Sequence, residues 1–78
     1  MRIVITKKYY VDYKEKARIK HFMFKNNLTH IGIADKLGLS MSMFEFILNG
    51  ERAITKEIIY KFKEIGFSFR GYRYKKGE

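Results

Sequence analysis

The sequence contains no cysteine and no proline, and it has few acidic residues: eight, against seventeen Lys and Arg. Without cysteine, neither a disulfide nor a thiolate zinc site can form, and the two separated histidines cannot complete a metal site by themselves. We therefore expect no metal and no other cofactor. The core must be built from aliphatic and aromatic side chains, of which six Tyr and seven Phe supply much of the bulk.

Long apolar runs are also missing. The opening Ile3, Val4 and Ile5 is too short for the core of a signal peptide, and no stretch approaches the roughly 20 apolar residues that a membrane helix needs. The sequence thus favours a cytoplasmic protein that makes no contact with a membrane.

The catalytic patterns of enzymes are absent as well. No paired carboxylates, nucleophile and base, or phosphate-binding loop can be found, and Asp12, Asp35 and Glu45 have no evident partners. A chain of 78 residues forms one small domain, which buries only about 60% of its unfolded surface and leaves little room for a deep cleft. We expect a single domain over residues 1–78 that is not an enzyme.

The positive charge is large and unevenly distributed. The formal net charge is +9, which favours an anionic partner such as nucleic acid or an acidic protein. Residues 1–25 carry eight basic and two acidic side chains, and residues 70–76 carry four basic and no acidic ones. Residues 26–50 contain only Lys36 against Asp35 and Glu45, so basic contacts must come mainly from the flanking segments.

Apolar periodicity and capping residues predict four helices between two short strands. The first helix places Ala17, Ile19, Phe22 and Met23 near helical spacing. Thr29, Ser40 and Thr55 are suitable N-caps for the next three helices, and each of these helices is followed by a glycine or by Asn-Gly. In chain order, the predicted elements are a strand at 2–6, helices at about 12–26, 29–38, 40–49 and 55–66, and a strand at 67–74.

The two middle helices have the spacing of a helix-turn-helix. Such a unit needs a small residue where the helices cross, a glycine in the turn, and apolar residues that lock the pair together. Ala34 is the small residue and Gly38 supplies the turn. The expected locking residues are Ile33, Leu37, Leu39, Phe44 and Ile47.

Residues 28–52 resemble the Cro/repressor-type helix-turn-helix family of phage, plasmid and bacterial regulators. The resemblance rests on Leu28-Thr29, on Ala34, on Leu-Gly-Leu-Ser at 37–40 and on Asn-Gly-Glu-Arg at 49–52. It implies a mainly α, four-helix domain with short N- and C-terminal strands, whose motif covers about residues 29–50. The flanking strands look like those of the small Cro subgroup, where they also help to form a dimer. They could pair within one chain or across two.

The resemblance also implies which residues touch DNA, because the family places its second motif helix in the major groove. Met41, Ser42 and Phe46 then face the bases, and Phe44 and Ile47 turn inward. The full set of DNA-contacting residues implied in this way is Arg18, Thr29, His30, Ser40, Met41, Ser42, Glu45, Phe46, Asn49, Arg52 and Lys56.

Two functions remain open. The first is sequence-specific binding of double-stranded DNA by a homodimeric transcriptional regulator such as a repressor. The second is a helix-turn-helix fold that binds another regulatory protein, as a modulator or antirepressor. The second arises because base-reading side chains are usually Arg, Lys, Asn or Gln, whereas this helix carries Met41, Met43, Phe46 and Leu48.

Overall fold

The computed structural model describes residues 8–72 of the chain, and this part is mainly helical. Its four helices are α1 (Tyr13–Lys25), α2 (His30–Lys36), α3 (Met41–Leu48) and α4 (Lys56–Glu64). The four predicted helices are confirmed, with ends that agree within a few residues. None of them combines the length and the apolar character that crossing a bilayer requires.

Each helix begins after a side chain that accepts a hydrogen bond from the backbone N–H three residues later. The acceptors are Asp12 at 2.8 Å, Thr29 at 3.0 Å, Ser40 at 3.1 Å and Thr55 at 3.3 Å. A capping oxygen satisfies one of the backbone donors that a helix start leaves without a partner. The three caps predicted at Thr29, Ser40 and Thr55 are therefore confirmed.

Glycines at positive φ bound α3 at both ends. Gly38, with φ 72°, reverses the chain between α2 and α3, and Gly50, with φ 76°, follows the last turn of α3. Residues that carry a Cβ atom are strained at these positive φ values. At Gly50 there is a second requirement, since a Cβ atom there would lie 2.8 Å from the carbonyl oxygen of Val11.

The buried apolar side chains form one cluster to which every helix contributes. Of the residues predicted for the core face of α1, Ile19 and Met23 are buried and Phe22 is half-buried, but Ala17 is exposed. Ala17 is two residues from Ile19, about 200° round the helix, which puts it on the opposite side. The cluster comprises Val11, Ile19, Met23, Ile33, Ala34, Leu37, Phe44, Ile47, Leu48, Ile54, Ile59, Phe62, Phe67 and Phe69.

The strand predicted at 67–74 is wrong for the part within the described residues, because 67–69 are irregular and the chain turns at Arg70 and Gly71. Phe67 and Phe69 are both buried, and their ring centroids lie 5.6 and 5.0 Å from that of Phe62. The alternating aromatics thus serve packing on α4 rather than pairing with a strand.

The described residues contain no strand; their one β-type pairing is an isolated antiparallel bridge between Tyr9 and Ile54. The predicted strand at 2–6, and positions 73 and 74, lie outside the described part of the chain.

Candidate nucleic-acid interface

Residues 29–49, which we call the α2–turn–α3 unit, bring two short helices into close contact. Ala34 is 2% exposed at the crossing, and its carbonyl oxygen accepts a hydrogen bond from the N–H of Leu39 at 2.8 Å. A larger side chain at this position would push the helices apart in a closely packed interior. Gly38 therefore lies in the turn and Ala34 lies at the helix crossing, as their spacing predicted.

α3 has one buried face and one exposed face. Phe44 and Ile47 are 1% and 2% exposed, and Leu48 is also buried. On the other side, Met41 is 42% and Phe46 is 45% exposed, while Met43 is half-buried. The inward orientation of Phe44 and Ile47 is confirmed. The residues of the outer face of α3 are Ser40, Met41, Ser42, Glu45, Phe46 and Asn49.

His30 and Glu45 form a contact between α2 and α3 that the sequence did not reveal. The His30 Nδ1 atom lies 3.0 Å from a carboxylate oxygen of Glu45, and the His30 ring packs edge-to-face on Phe44 with centroids 5.6 Å apart. The expectation that Glu45 has no partner was wrong. Their separation of 15 residues gives no local signal, because only the helix crossing brings the two side chains together.

The far end of α3 contacts α1 through Lys16. Its Nζ atom donates to the side-chain oxygen of Asn49 at 2.6 Å. Lys16 was not among the predicted site residues, although it lies three and seven positions before the buried Ile19 and Met23 and so flanks the core-facing side of α1. The position of Lys16 beside the core-facing side of α1 could have been predicted from helical spacing. Its pairing with Asn49 could not be predicted from the sequence.

Arg18 lies away from α3. Two residues from Lys16, it is about 160° from it round α1. Its guanidinium donates to a carboxylate oxygen of the buried Glu15 at 2.8 Å and lies 4.9 Å from the centroid of the Phe67 ring. The structure therefore does not bring Arg18 together with the other predicted site residues.

The remaining predicted residues lie on the periphery of the unit. Thr29 is exposed at the start of α2, where its side chain caps the helix. The backbone N–H of Arg52 donates to the carbonyl oxygen of Phe46 at 3.3 Å, which keeps the exposed Arg52 next to the end of α3. Lys56 is exposed at the first position of α4, with its Nζ atom 5.9 Å from the ring centroid of Tyr60.

The centre of the outer face is acidic and apolar rather than basic. A shallow cavity of about 260 Å³ lies there, and two carboxylates, Glu45 and Glu51, line it together with Phe46. Ser42 and Asn49 complete its lining. Lys16, His30 and Arg52 lie around this centre, so an anion can be held at the edges of the face but not in its middle.

Comparisons of this chain with protein-family models, with curated proteins and with solved structures find no match. Within residues 8–72, no three His, Asp or Glu side chains lie close enough to share a metal ion. The features that bear on function are therefore the geometry of the outer face of α3 and the charge around it.

Proposed function

We propose that this protein is a small cytoplasmic transcriptional regulator of the Cro/repressor type, which binds double-stranded DNA with α3 in the major groove. The main observation behind the proposal is that one face of α3 is buried and the opposite face is exposed. Its inner face is locked into the core while the outer face is open to solvent directly after a tight turn. An α-helix held in this way can enter a major groove about 12 Å wide.

The charge pattern suits this docking. In a helix-turn-helix complex, the phosphates lie along the rims of the groove and the base edges lie at its floor. Lys16, His30 and Arg52 surround the outer face of α3, and Lys56 follows at the start of α4. The middle of the face, where Glu45 lies, would meet bases, and a Glu carboxylate accepts hydrogen bonds from the amino group of cytosine.

Selection of duplexes from a random pool, followed by binding at increasing salt, tests the proposal. We expect enrichment of one sequence, with affinity falling steeply as salt rises. Arg52→Ala should weaken binding to all duplexes alike and lower the salt slope by roughly 1. Glu57→Ala, at an exposed acidic position of α4, is the control that should not weaken binding. Failure to enrich any duplex, or affinity that does not change with salt, would count decisively against the proposal.

We also propose that the regulator acts as a homodimer. Two-fold symmetric regulators of this type bind half-sites about one helical turn of DNA apart. The selected site should therefore be a near-palindrome, and sedimentation on that duplex should give two chains per site. A selected site without two-fold symmetry, bound by one chain, would show that the monomer is the binding unit.

A second candidate, binding to another regulatory protein, is favoured by one observation. Met41 and Phe46 are large, apolar and close to half exposed on the outer face, and that face carries no Arg or Lys. Such patches often mark protein interfaces, and Met suits adaptable ones. If Phe46→Ala abolished capture of a purified partner regulator while salt-dependent DNA binding persisted unchanged, this second function would replace the first.

A further inference from the structure

A row of basic side chains runs along α1 on the side away from α3. Lys14, Arg18, His21 and Lys25 follow one another at intervals of four, three and four residues. At 100° per residue they lie within about 60° round the helix, and they extend over roughly 16 Å. We call these four residues the basic stripe. Lys16, which contacts α3, is on the opposite flank of the same helix.

The basic stripe forms one rim of an open groove. The groove contains a cavity of about 440 Å³ between α1 and the segment that follows α4. Past Arg18 it continues into a second cavity of about 350 Å³, which Lys14 and Arg70 border. The first cavity is lined by Ala17, Arg18, His21, Phe22, Lys25, Gly66, Phe67 and Ser68.

Positive charge exceeds negative charge in this groove, which is lined by Lys14, Arg18, Lys25 and Arg70 against Asp12 and Glu15. No residue between 8 and 72 forms an ion pair with Lys14, Lys25 or Arg70, and all three are exposed. Two acids, Asp12 and Glu15, line the smaller cavity, where Asp12 caps α1 and Glu15 pairs with Arg18 through one carboxylate oxygen. No acidic side chain lines the larger cavity. An anionic group that enters the larger cavity would therefore meet basic side chains and no carboxylate.

The lining between these cations is apolar. Ala17 is exposed there, and the half-buried ring of Phe22 packs edge-to-face on Phe67 with centroids 5.5 Å apart. Phe67 is buried, and the guanidinium of Arg18 lies over its ring. The face of Phe67 is thus closed to the base stacking by which single-stranded nucleic acids are held. Aliphatic or aromatic side chains need only apolar surface, which this groove provides.

We propose that the groove beside α1 binds an acidic amphipathic peptide segment of a partner protein. Its carboxylates would pair with the basic stripe and Arg70, and its apolar side chains would pack on Ala17 and Phe22. Charge complementarity selects this partner, and the apolar lining separates it from a purely polyanionic one. Residues 1–7 and 73–78 are themselves net basic and do not fit the groove's charge. The site is independent of the function proposed for α3.

The test uses the full chain and a labelled 12-residue peptide in which Glu and Asp alternate with Leu and Phe. Fluorescence anisotropy gives the dissociation constant. Two matched peptides serve as controls, one with Gln and Asn in place of the acids and one with Ser in place of the apolar residues. Both should bind at least several-fold more weakly than the parent peptide, because each lacks one of the two interactions.

The decisive comparison is between two doubly substituted proteins of equal net charge. Lys14→Glu with Lys25→Glu reverses both ends of the basic stripe and should weaken binding roughly tenfold. Lys20→Glu with Lys36→Glu changes two exposed lysines outside the groove and should change binding less than about twofold. Circular dichroism checks that all proteins fold. Amide shifts on peptide addition should concentrate at residues 17–25 and 66–68.

Three results would overturn the proposal. Equal losses in the two double variants would reduce the effect to general charge attraction. A parent peptide that binds no better than its Ser-containing control would show that the apolar lining does not contribute to binding. Tighter binding of a 12-nucleotide oligothymidine, lost in the Lys14 and Lys25 variant, would make the groove a nucleic-acid site instead.

Discussion

α1 and α3 each pack one face on the core and expose the other, but they differ in the charge that they carry. α1 carries five Lys and Arg. α3 projects its outer face to solvent, but its eight residues include a single charged one, Glu45. In the proposed function, α1 supplies much of the long-range positive field, and the outer face of α3 supplies the surface that meets DNA.

This division gives the two flanks of α1 different roles. Lys16 places one cation of α1 at the edge of the α3 surface, whereas the basic stripe directs its charge to a separate groove. A charge count along the sequence merges these two flanks. Substitutions on one flank of α1 or one face of α3, each measured beside a control on the other, therefore test whether the two differ in role.

The largest effect is expected from the two faces of α3. Phe44→Ala removes a ring that is fully enclosed in the core, and it should lower the free energy of unfolding by about 3–5 kcal/mol. Phe46→Ala, two positions later on the exposed face, should change it by less than about 1 kcal/mol. Urea denaturation of both variants measures the difference. Equal destabilisation by the two would mean that α3 is enclosed on both sides.

A smaller effect is expected from the two flanks of α1. Lys16→Ala should weaken duplex binding about threefold and lower the salt slope by roughly 1, because the cation adjoins Asn49. Lys25→Ala, on the basic stripe of the opposite flank, is the matched control and should change neither quantity. Arg18→Ala should also leave the salt slope unchanged, contrary to what the family resemblance implies, because its side chain faces the other flank. A reduced slope for Arg18→Ala alone would reverse this assignment.

The smallest effect is expected from single methyl groups on the DNA. If Met41 and Phe46 contact thymine methyls, replacing thymine by uracil in the selected DNA site should weaken binding about fourfold per contacted methyl, or about 0.8 kcal/mol. The variant with Met41→Ala and Phe46→Ala should no longer distinguish the two duplexes. Equal affinity of the unmodified protein for both would show that the apolar outer face does not read thymine.

Local features of the fold could be predicted because each depends on residues that are close in sequence. The caps at Thr29, Ser40 and Thr55 and the positive φ at Gly38 follow from the chemistry of a few neighbouring residues. The inward orientation of Phe44 and Ile47 follows from helical periodicity. These features were enough to predict four helices and the two faces of α3.

The features that could not be predicted depend on contacts between distant segments. The pairs of His30 with Glu45 and of Lys16 with Asn49 join residues 15 and 33 positions apart. The aromatics after α4 predicted a strand because alternation is the same for a paired strand and for an extended segment packed on a helix. Only the position of Phe62 beneath them decides between the two.

The single apolar cluster determines whether the outer face of α3 can be used outside its own domain. α2 and α3 have seven and eight residues, below the roughly 12–15 at which an isolated helix becomes even marginally stable in water. A peptide cut from residues 28–52 would therefore be mostly unfolded. Transfer of the surface to another scaffold requires α1, α4 and the aromatics after α4, because they supply the remaining walls of the cluster.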